Sequence, residues 1–392
     1  MGKLVQQGDS MLMSAELIDV RDNHRVWGGH YEFKLPDIQR LQNQISNEIS
    51  SRVGSQGSSQ NTKSLANHST QSEAYSLYIL GRYYRRQGTK EGWQKSIEYQ
   101  EEVIKIDPNF APAYLEMGLA YSNLGLRGFL PSNEAREKVT AAALKAVELD
   151  DTLSSAHALL GYARKTSWDW SGAEKEFNRA LDLQHNGEDF TLLSVLYPAY
   201  LLDVGRPDEA VAFQKRVQDF DPVDDNNLGL LGFAYLGARQ YEQALEKFQK
   251  AVERHPNNAQ FHFFLGETYL YKRNFEQGIA EMEKAVALEN APERWDRQPM
   301  LAYAYAVAGR RDAALKILGE EKTLATQRYI SAFNFAVIYT GLGDKDLALE
   351  WLQKSYNEHA QALDHLKMRP MFDSLHSDQR FTDLIRRMGL PT

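Results

Sequence analysis

Ten histidines are the first residues to weigh for chemistry, because imidazole both ligates metals and carries protons near neutral pH. His255 and His262 stand seven apart, and His359 and His365 six apart. Two imidazoles share a helix face at spacings of three or four, so neither pair has metal-ligand spacing, and surface or packing roles are expected. The acidic run DFDPVDD at 219–225 offers hard oxygen ligands to a cation. It falls across a helix end and lacks the ligand order of a calcium loop, which predicts solvated aspartates instead. Trp168 and Trp170 in SWDWSGAE could form a sugar platform. They fall in an inter-helix turn, with Ser171 behind them as a helix-start residue, and aromatic wedging between helices is expected.

Motifs with a reaction attached are missing from the sequence. There is no G-x-x-x-x-G-K-[ST] phosphate cradle, no H-E-x-x-H pair and no G-x-S-x-G elbow. Cysteine is absent, which removes disulfides, thiolate zinc sites and thiol catalysis while leaving the redox compartment open. A non-catalytic protein with no cofactor and no metal is expected. With 45 Lys+Arg against 53 Asp+Glu the net charge is −8, the wrong sign for a surface that must displace phosphate counterions, so no nucleic-acid partner is expected. Residues 1–70 carry seven charges of each sign, so the excess belongs to residues 71–392.

The elements that would position any site come from length and periodicity. At 392 residues, 43% hydrophobic and 25% charged, the chain is too long for one small core and too apolar for a disordered tail. No apolar run approaches the roughly 20 residues of a membrane span, and MGKLVQQGDS lacks a hydrophobic signal core. No direct membrane insertion is expected; a cytoplasmic location is the default, with the extracytoplasmic part of an anchored protein as the alternative.

A repeat governs most of the chain. A small residue followed three positions later by tyrosine recurs at Gly81/Tyr84, Gly118/Tyr121, Gly232/Tyr235, Gly266/Tyr269, Ala302/Tyr305 and Ala336/Tyr339. Gly161, with Arg164 in the tyrosine position, and Pro198 are looser members. The eight anchors are spaced 37, 43, 37, 34, 34, 36 and 34. Twelve residues after four of them comes a small–large–small set: Ala173, Phe177, Ala180; Ala244, Phe248, Ala251; Gly278, Met282, Ala285; Ala348, Leu352, Ser355. Steps of four and three mark one face of a helix packed closely on a neighbour.

On these residues the stretch 71–360 resembles the tetratricopeptide repeat family, which implies an all-α, right-handed superhelical solenoid of about eight helix pairs. Pro108, Pro222 and Pro256 fall where a second helix should end. Pro198 lies inside a first helix and is expected to kink it, and GLRGFLPSN at 125–133 reads as an inserted loop. Behind the array, LDHLKMRPMFDSLHSDQRFTDLIRRMGLP supplies a final amphipathic helix with Phe381, Leu384, Ile385 and Met388 on one face, expected to cap the last repeat over residues 361–392.

Ahead of the array, MLMSAELIDV and RVWGGHYEF read as a hairpin, and Ile38, Leu41, Ile45, Ile49 and Val53 as the stripe of a helix. Residues 1–53 resemble the end of a TolB amino-terminal-like domain and are expected to be a truncated αβ fragment. Residues 54–70, GSQGSSQNTKSLANHST, read as a flexible linker. The wider wording, including SWDWSGAEKEFNRAL and RPMFDSLHSDQRFTDLIRRMGLP, is similar to the repeat regions of acidobacterial-type serine/threonine kinases, adenylate cyclases and winged-helix regulators. That implies a bacterial signalling context. The kinase glycine-rich loop, H-R-D and D-F-G are missing, so no kinase activity carries over.

In the tetratricopeptide family the concave face is lined mainly by the first helix of each pair. The matching positions are Tyr78, Arg82, Arg85, Leu119, Tyr162, Phe233, Phe263, Glu267, Tyr303 and Phe333, with Lys165 beside Tyr162. The lysine–asparagine clamp of chaperone-tail binders is not supplied. An apolar, aromatic groove bordered by arginines suits a peptide with hydrophobic anchors and some acidic character. The competing expectation is that these side chains meet across a tight superhelix and are core. The expected function is a non-catalytic protein-interaction scaffold or sensory module, the alternative being self-association through the groove or the amino-terminal strand edge.

Overall fold

The computed structural model describes residues 2–7, 10–19, 24–34, positions within 37–49, 72–184, 191–222, 224–288 and 297–390. The chain divides into two compact units, Met1–Ala120 and Tyr121–Thr392.

The first unit opens with a three-stranded antiparallel sheet, β1 (Gly2–Gln7), β2 (Ser10–Asp19) and β3 (His24–Phe33), in that order. The expected hairpin is β2–β3, with Met11 opposite Phe33, Met13 opposite Tyr31 and an irregularity between Leu17 and Ile18. Strand β1 was not foreseen, because GKLVQQ has two adjacent apolar residues and no alternation. Described helical turns at 40–41, 44–45 and 47–49 carry part of the expected stripe; Ile38 and Val53 lie outside the described residues, as does the expected linker at 54–70. Met11, Phe33 and Leu41 bury against Tyr75, Tyr78, Val103 and Phe110. The sheet therefore shares one core with the first helix pair, which gives it the covering a small sheet needs.

Helices follow in pairs: α1 (Ser72–Arg86) with α2 (Lys90–Ile106), α3 (Ala111–Leu126) with α4 (Ser132–Leu149), α5 (Ser154–Thr166) with α6 (Trp170–Asp182) and α7 (Thr191–Asp203) with α8 (Pro207–Phe220). Then come α9 (Asn226–Gly237) with α10 (Tyr241–Arg254), α11 (Ala259–Tyr271) with α12 (Phe275–Leu288), α13 (Gln298–Val307) with α14 (Arg311–Ala325) and α15 (Ala332–Leu342) with α16 (Lys345–Asn357). Each anchor falls in a first helix, and the small–large–small sets fall in second helices. The two patterns interlock: a Cβ on Gly232 would lie 2.8 Å from Phe248, and one on Gly266 2.8 Å from Met282. Close approach at the small residue is what seats the large one.

Turns within the pairs share one device, a residue in the left-handed region. Gly88, Gly205, Gly309 and Gly343 hold it in four pairs, as an unstrained glycine can. Trp168, Arg239 and Arg273 hold it at φ 60°, 59° and 62° in three others, where a side chain costs about 1–2 kcal/mol. Asp169 caps α6, accepting from Gly172 N at 2.9 Å, so the helix starts at Trp170 and the cap is Asp169 where Ser171 was expected.

Two further departures have physical reasons. Pro198 sits within α7, and the Ser194 carbonyl, deprived of an N–H donor four residues on, accepts instead from Gln214 Nε2 of α8. The 125–133 insertion is a loop shortened at both ends by its helices: α3 runs to Leu126 and α4 starts at Ser132, leaving 127–131 as the connection, turned at Gly128.

Candidate peptide-binding face and the segment that covers it

In the first unit, Tyr78 is core, edge-on to Phe110 at 5.1 Å, and burial pushes its phenol well up. Arg82 Nε lies 3.2 Å and Arg85 Nε 2.5 Å from the two oxygens of Glu116, a buried carboxylate on α3. Both arginines are thus already paired with a carboxylate of the chain itself. Leu119 is half-buried on the same helix.

In the second unit, residues beyond α16 lie across side chains of the first helices. This segment is not the single amphipathic helix expected. It consists of two 3₁₀ turns, Gln361–His365 and Pro370–Leu375, and a nine-residue helix α17 (Gln379–Arg387). The helix buries Phe381, Leu384 and Ile385 in the core of the last repeats, where a cap belongs, and Met388 beside it is buried too. The first turn packs against α5 and α7, and the second against α15. Leu363, Leu366, Met371, Phe372 and Leu375 are almost completely buried. Proline at 370, which starts the second turn, explains why no continuous helix runs through the segment.

Four side chains tie the segment to the face. Asp364, 1% exposed, places Oδ2 at 3.4 Å from Lys165 Nζ of α5, which donates to Asp203 Oδ2 of α7 at 2.7 Å. His365 Nδ1 stands 2.5 Å from the other Asp203 oxygen. Burial pushes the Asp364 carboxyl up to about 7, against the pull of Lys165. Burial alone would lower the Lys165 ammonium, but Asp203 and Asp364 together hold it above its usual value. Burial lowers the His365 imidazole, with Asp203 opposing. Met368 Cε rests on Gly237, where an added Cβ would stand 2.8 Å from it and 2.6 Å from Leu202. Arg369 lies over the Phe333 ring at 5.5 Å and acts on Glu267, whose carboxyl burial raises. Beyond them, Asp373 makes a two-pronged pair with Arg239, both bonds 2.7 Å.

Of the expected groove residues of this unit, Tyr162, Phe233, Glu267, Tyr303 and Phe333 lie beside that segment, and Phe263 packs on the core of the last repeats. Tyr162 accepts from Ser122 Oγ at 3.1 Å, and burial pushes its phenol up to about 12 beside Lys165 and Asp364. Phe233 joins the Leu202 cluster with Met368. Phe263 carries the Arg297 guanidinium at 4.9 Å. Glu267 accepts from Tyr271 OH at 2.7 Å. Tyr303, raised to about 12 by burial, feels Asp373, and Phe333 meets Phe372 edge-on at 5.7 Å.

Two of the three left-handed turns with large side chains serve the same closure. Trp168 stacks on Tyr356 at 4.8 Å and His359 at 4.2 Å, and Arg239 is the partner of Asp373. Trp170 Nε1 donates to Met388 O at 2.6 Å. Arg273 repeats the backbone strain at an exposed turn, and nothing in the structure explains it. Sequence reasoning missed Asp203, Gly237, Asp364, Met368 and Arg369. The signal that could have found them is the comparison of turns: a residue with a long side chain where four equivalent turns have glycine.

The other chemical candidates resolve as structure. His262 Nδ1 lies 2.5 Å from Glu281 Oε2, with Nε2 2.9 Å from Pro256 O; His157 repeats this with Glu176 at 2.7 Å and Asp151 O at 3.1 Å. Each imidazole pins its first helix to the second helix and to the preceding turn. In the 219–225 run, Asp221 and Asp224 accept from backbone N–H groups at the start of α9, and Asp225 pairs with Arg254 and His255. Among the described residues no group of three or more His, Asp or Glu is placed to hold a metal ion, and no helix is long and apolar enough to cross a membrane.

Comparison with known proteins agrees with this architecture. Residues 230–294 match the tetratricopeptide repeat family. Superkiller protein 3 of Schizosaccharomyces pombe is 24% identical over 202 residues, 49% of this chain but 13% of that protein, so the chain spans a small part of that curated relative. Among solved structures, a human IFIT1 dimer with m7Gppp-AAAA is similar at 14% identity and TM-score 0.54, over 72% of each chain. YrrB, titled a tetratricopeptide protein with an unusual peptide-binding site, aligns at 21% identity and TM-score 0.31 over 50% of this chain and 94% of its own. The fold is an all-α solenoid of helix pairs with a small sheet at the amino end, and the chain carries a tetratricopeptide repeat region.

Proposed function

We propose that the array is a non-catalytic interaction scaffold that takes a protein segment on the concave face of its first helices, as part of a bacterial signalling protein. The observation that carries this reading is the segment already there: residues 361–375 lie on that face with apolar anchors, paired charges and 3₁₀ turns, the form a bound peptide would take. Repeat solenoids place function on such a surface. The signalling context rests on the sequence resemblance, and a net charge of −8 argues against a nucleic-acid ligand. Arg82 and Arg85 are not offered as anion sites, since Glu116 takes both.

The test is partner capture by the chain carrying Phe233→Ala and Phe263→Ala together. Loss of a partner with helicity retained supports the face; undiminished capture contradicts it. A buried aromatic anchor is worth about 2 kcal/mol or more on truncation, so the pair should weaken binding at least 100-fold.

A further inference from the structure

Residues 361–369 are an unusual component for a core. Leu363 and Leu366 are buried, yet the stretch also carries a carboxylate, an imidazole and a guanidinium onto a face with an opposite charge near each. Lys165 stands 3.4 Å from the acid, and Phe333 carries the base over its ring at 5.5 Å, within the electrostatic reach of Glu267. Between them Gly237 leaves room that Leu202 and the tip of the unbranched Met368 share, a Cβ there standing 2.6 Å from the one and 2.8 Å from the other. The acid, the apolar residue and the arginine are at 364, 368 and 369, so the face reads a carboxylate with an unbranched apolar residue four positions on and arginine five positions on.

The fit is imperfect at one end. Asp364 stands at 3.4 Å from Lys165 Nζ, whereas Asp203 reaches the same nitrogen at 2.7 Å. A buried carboxylate held short of its cation leaves interaction energy unrealised. The segment's contacts divide by chemistry: Asp364 and His365 meet Lys165 and Asp203 of α5 and α7 and Met368 meets Gly237 of α9, while Leu363 and Leu366 share one core cluster with Met371, Phe372, Leu375 and α17. A displacing segment must therefore replace Leu363 and Leu366 as well as the charges.

We propose that residues 361–369 are a built-in occupant of the concave face, displaced by a segment of another protein that carries the same acid, apolar and arginine pattern with a better-placed acid. This rests on the reading of the face as a binding surface. An identical segment from a second copy is a poor competitor, because the tethered one acts at an effective concentration of about millimolar. A displacing partner must make better contacts, and the long Asp364–Lys165 pair is where they are to be made.

The probe is a fluorescent peptide AQALDHLKMRPMFDSLH, the sequence of residues 360–376, titrated by anisotropy. It is added to the full chain and to a variant carrying Met368→Asp and Arg369→Glu, which sets like charge against Glu267 and leaves α17 unchanged. The peptide is expected to bind the variant at least tenfold tighter than the parent, and Gly237→Met added to the variant should abolish binding. Equal affinity for parent and variant, or binding indifferent to Gly237→Met, overturns the proposal. So does no binding to a variant whose circular dichroism matches the parent; the scaffold reading then stands or falls by the Phe233/Phe263 capture test. Micromolar dimerisation of the parent that excludes the peptide assigns the face to a second copy and also overturns it. If the double variant does not fold, Asp373→Lys in the chain, an exposed change that repels Arg239 while the peptide keeps its own aspartate, serves instead: several-fold tighter peptide binding supports displacement, and unchanged binding overturns it.

Discussion

Replacing Lys165 by methionine removes the one ammonium between Asp203 and Asp364 while keeping the aliphatic stem. Lys165 is 4% exposed at its side chain and Asp203 0%, so solvent cannot take over from the lost partner. Breaking a buried pair by removing one member costs about 3–5 kcal/mol, because the remaining charge stays desolvated. His365 keeps one hydrogen-bond contact to Asp203, which places the expectation near the lower end, about 3 kcal/mol. The assay is urea unfolding at pH 7 followed by the ellipticity of the helices, with Asp203→Asn and the Lys165→Met/Asp203→Asn pair completing a cycle. The double variant should be no less stable than Lys165→Met alone, since the second change removes the stranded charge. A single-variant loss under 1 kcal/mol, or strictly additive effects, would refute the claim that this triad is buried and joined.

Two other expectations follow from buried polar groups. Burial raises the Glu321 carboxyl to about 7, with Asn334 and Arg328 opposing, so its contribution to stability is full below the unfolded value near 4.5 and lost as pH rises through 7. Glu321→Gln should raise stability at pH 8 by up to about 3 kcal/mol and flatten the profile between pH 4.5 and 7; a profile unchanged by the substitution contradicts the burial. Asp364 works with the same sign over the same window, whereas His365, lowered by burial, favours the closed form above its usual range. Gln214→Leu strands the Ser194 carbonyl that Pro198 cannot serve, and should cost about 1–3 kcal/mol in the same urea assay; Ser194→Ala, which keeps the carbonyl, should cost far less.

Much of the array was legible because its rule is local. Gly232 and Phe248, or Gly266 and Met282, are related by a fixed spacing that encodes their contact, and the same periodicity put Tyr162, Phe233, Glu267 and Phe333 on one face. What covers that face was not legible. Asp364 reaches Lys165 across 199 positions of sequence, and no spacing rule connects them. DHLKMRP looks like part of an amphipathic helix until the charges on the opposite surface are known. Strand β1 was missed for a related reason: its place is fixed by pairing with β2 rather than by its own pattern. Pro198 predicts a break from local rules alone, and only the distant amide of Gln214 explains how the helix continues.

The central claim is that the residues following α16 lie across the concave face of the second unit. The sequence has no cysteine, so Arg239→Cys with Asp373→Cys gives a protein whose only thiols replace the two-pronged pair. Treated with a short bismaleimide at micromolar concentration, it should form an intramolecular bridge, seen as a cross-linked tryptic peptide pair from a monomer. Monomer with two singly modified thiols, or bridges found only between molecules, would contradict the account.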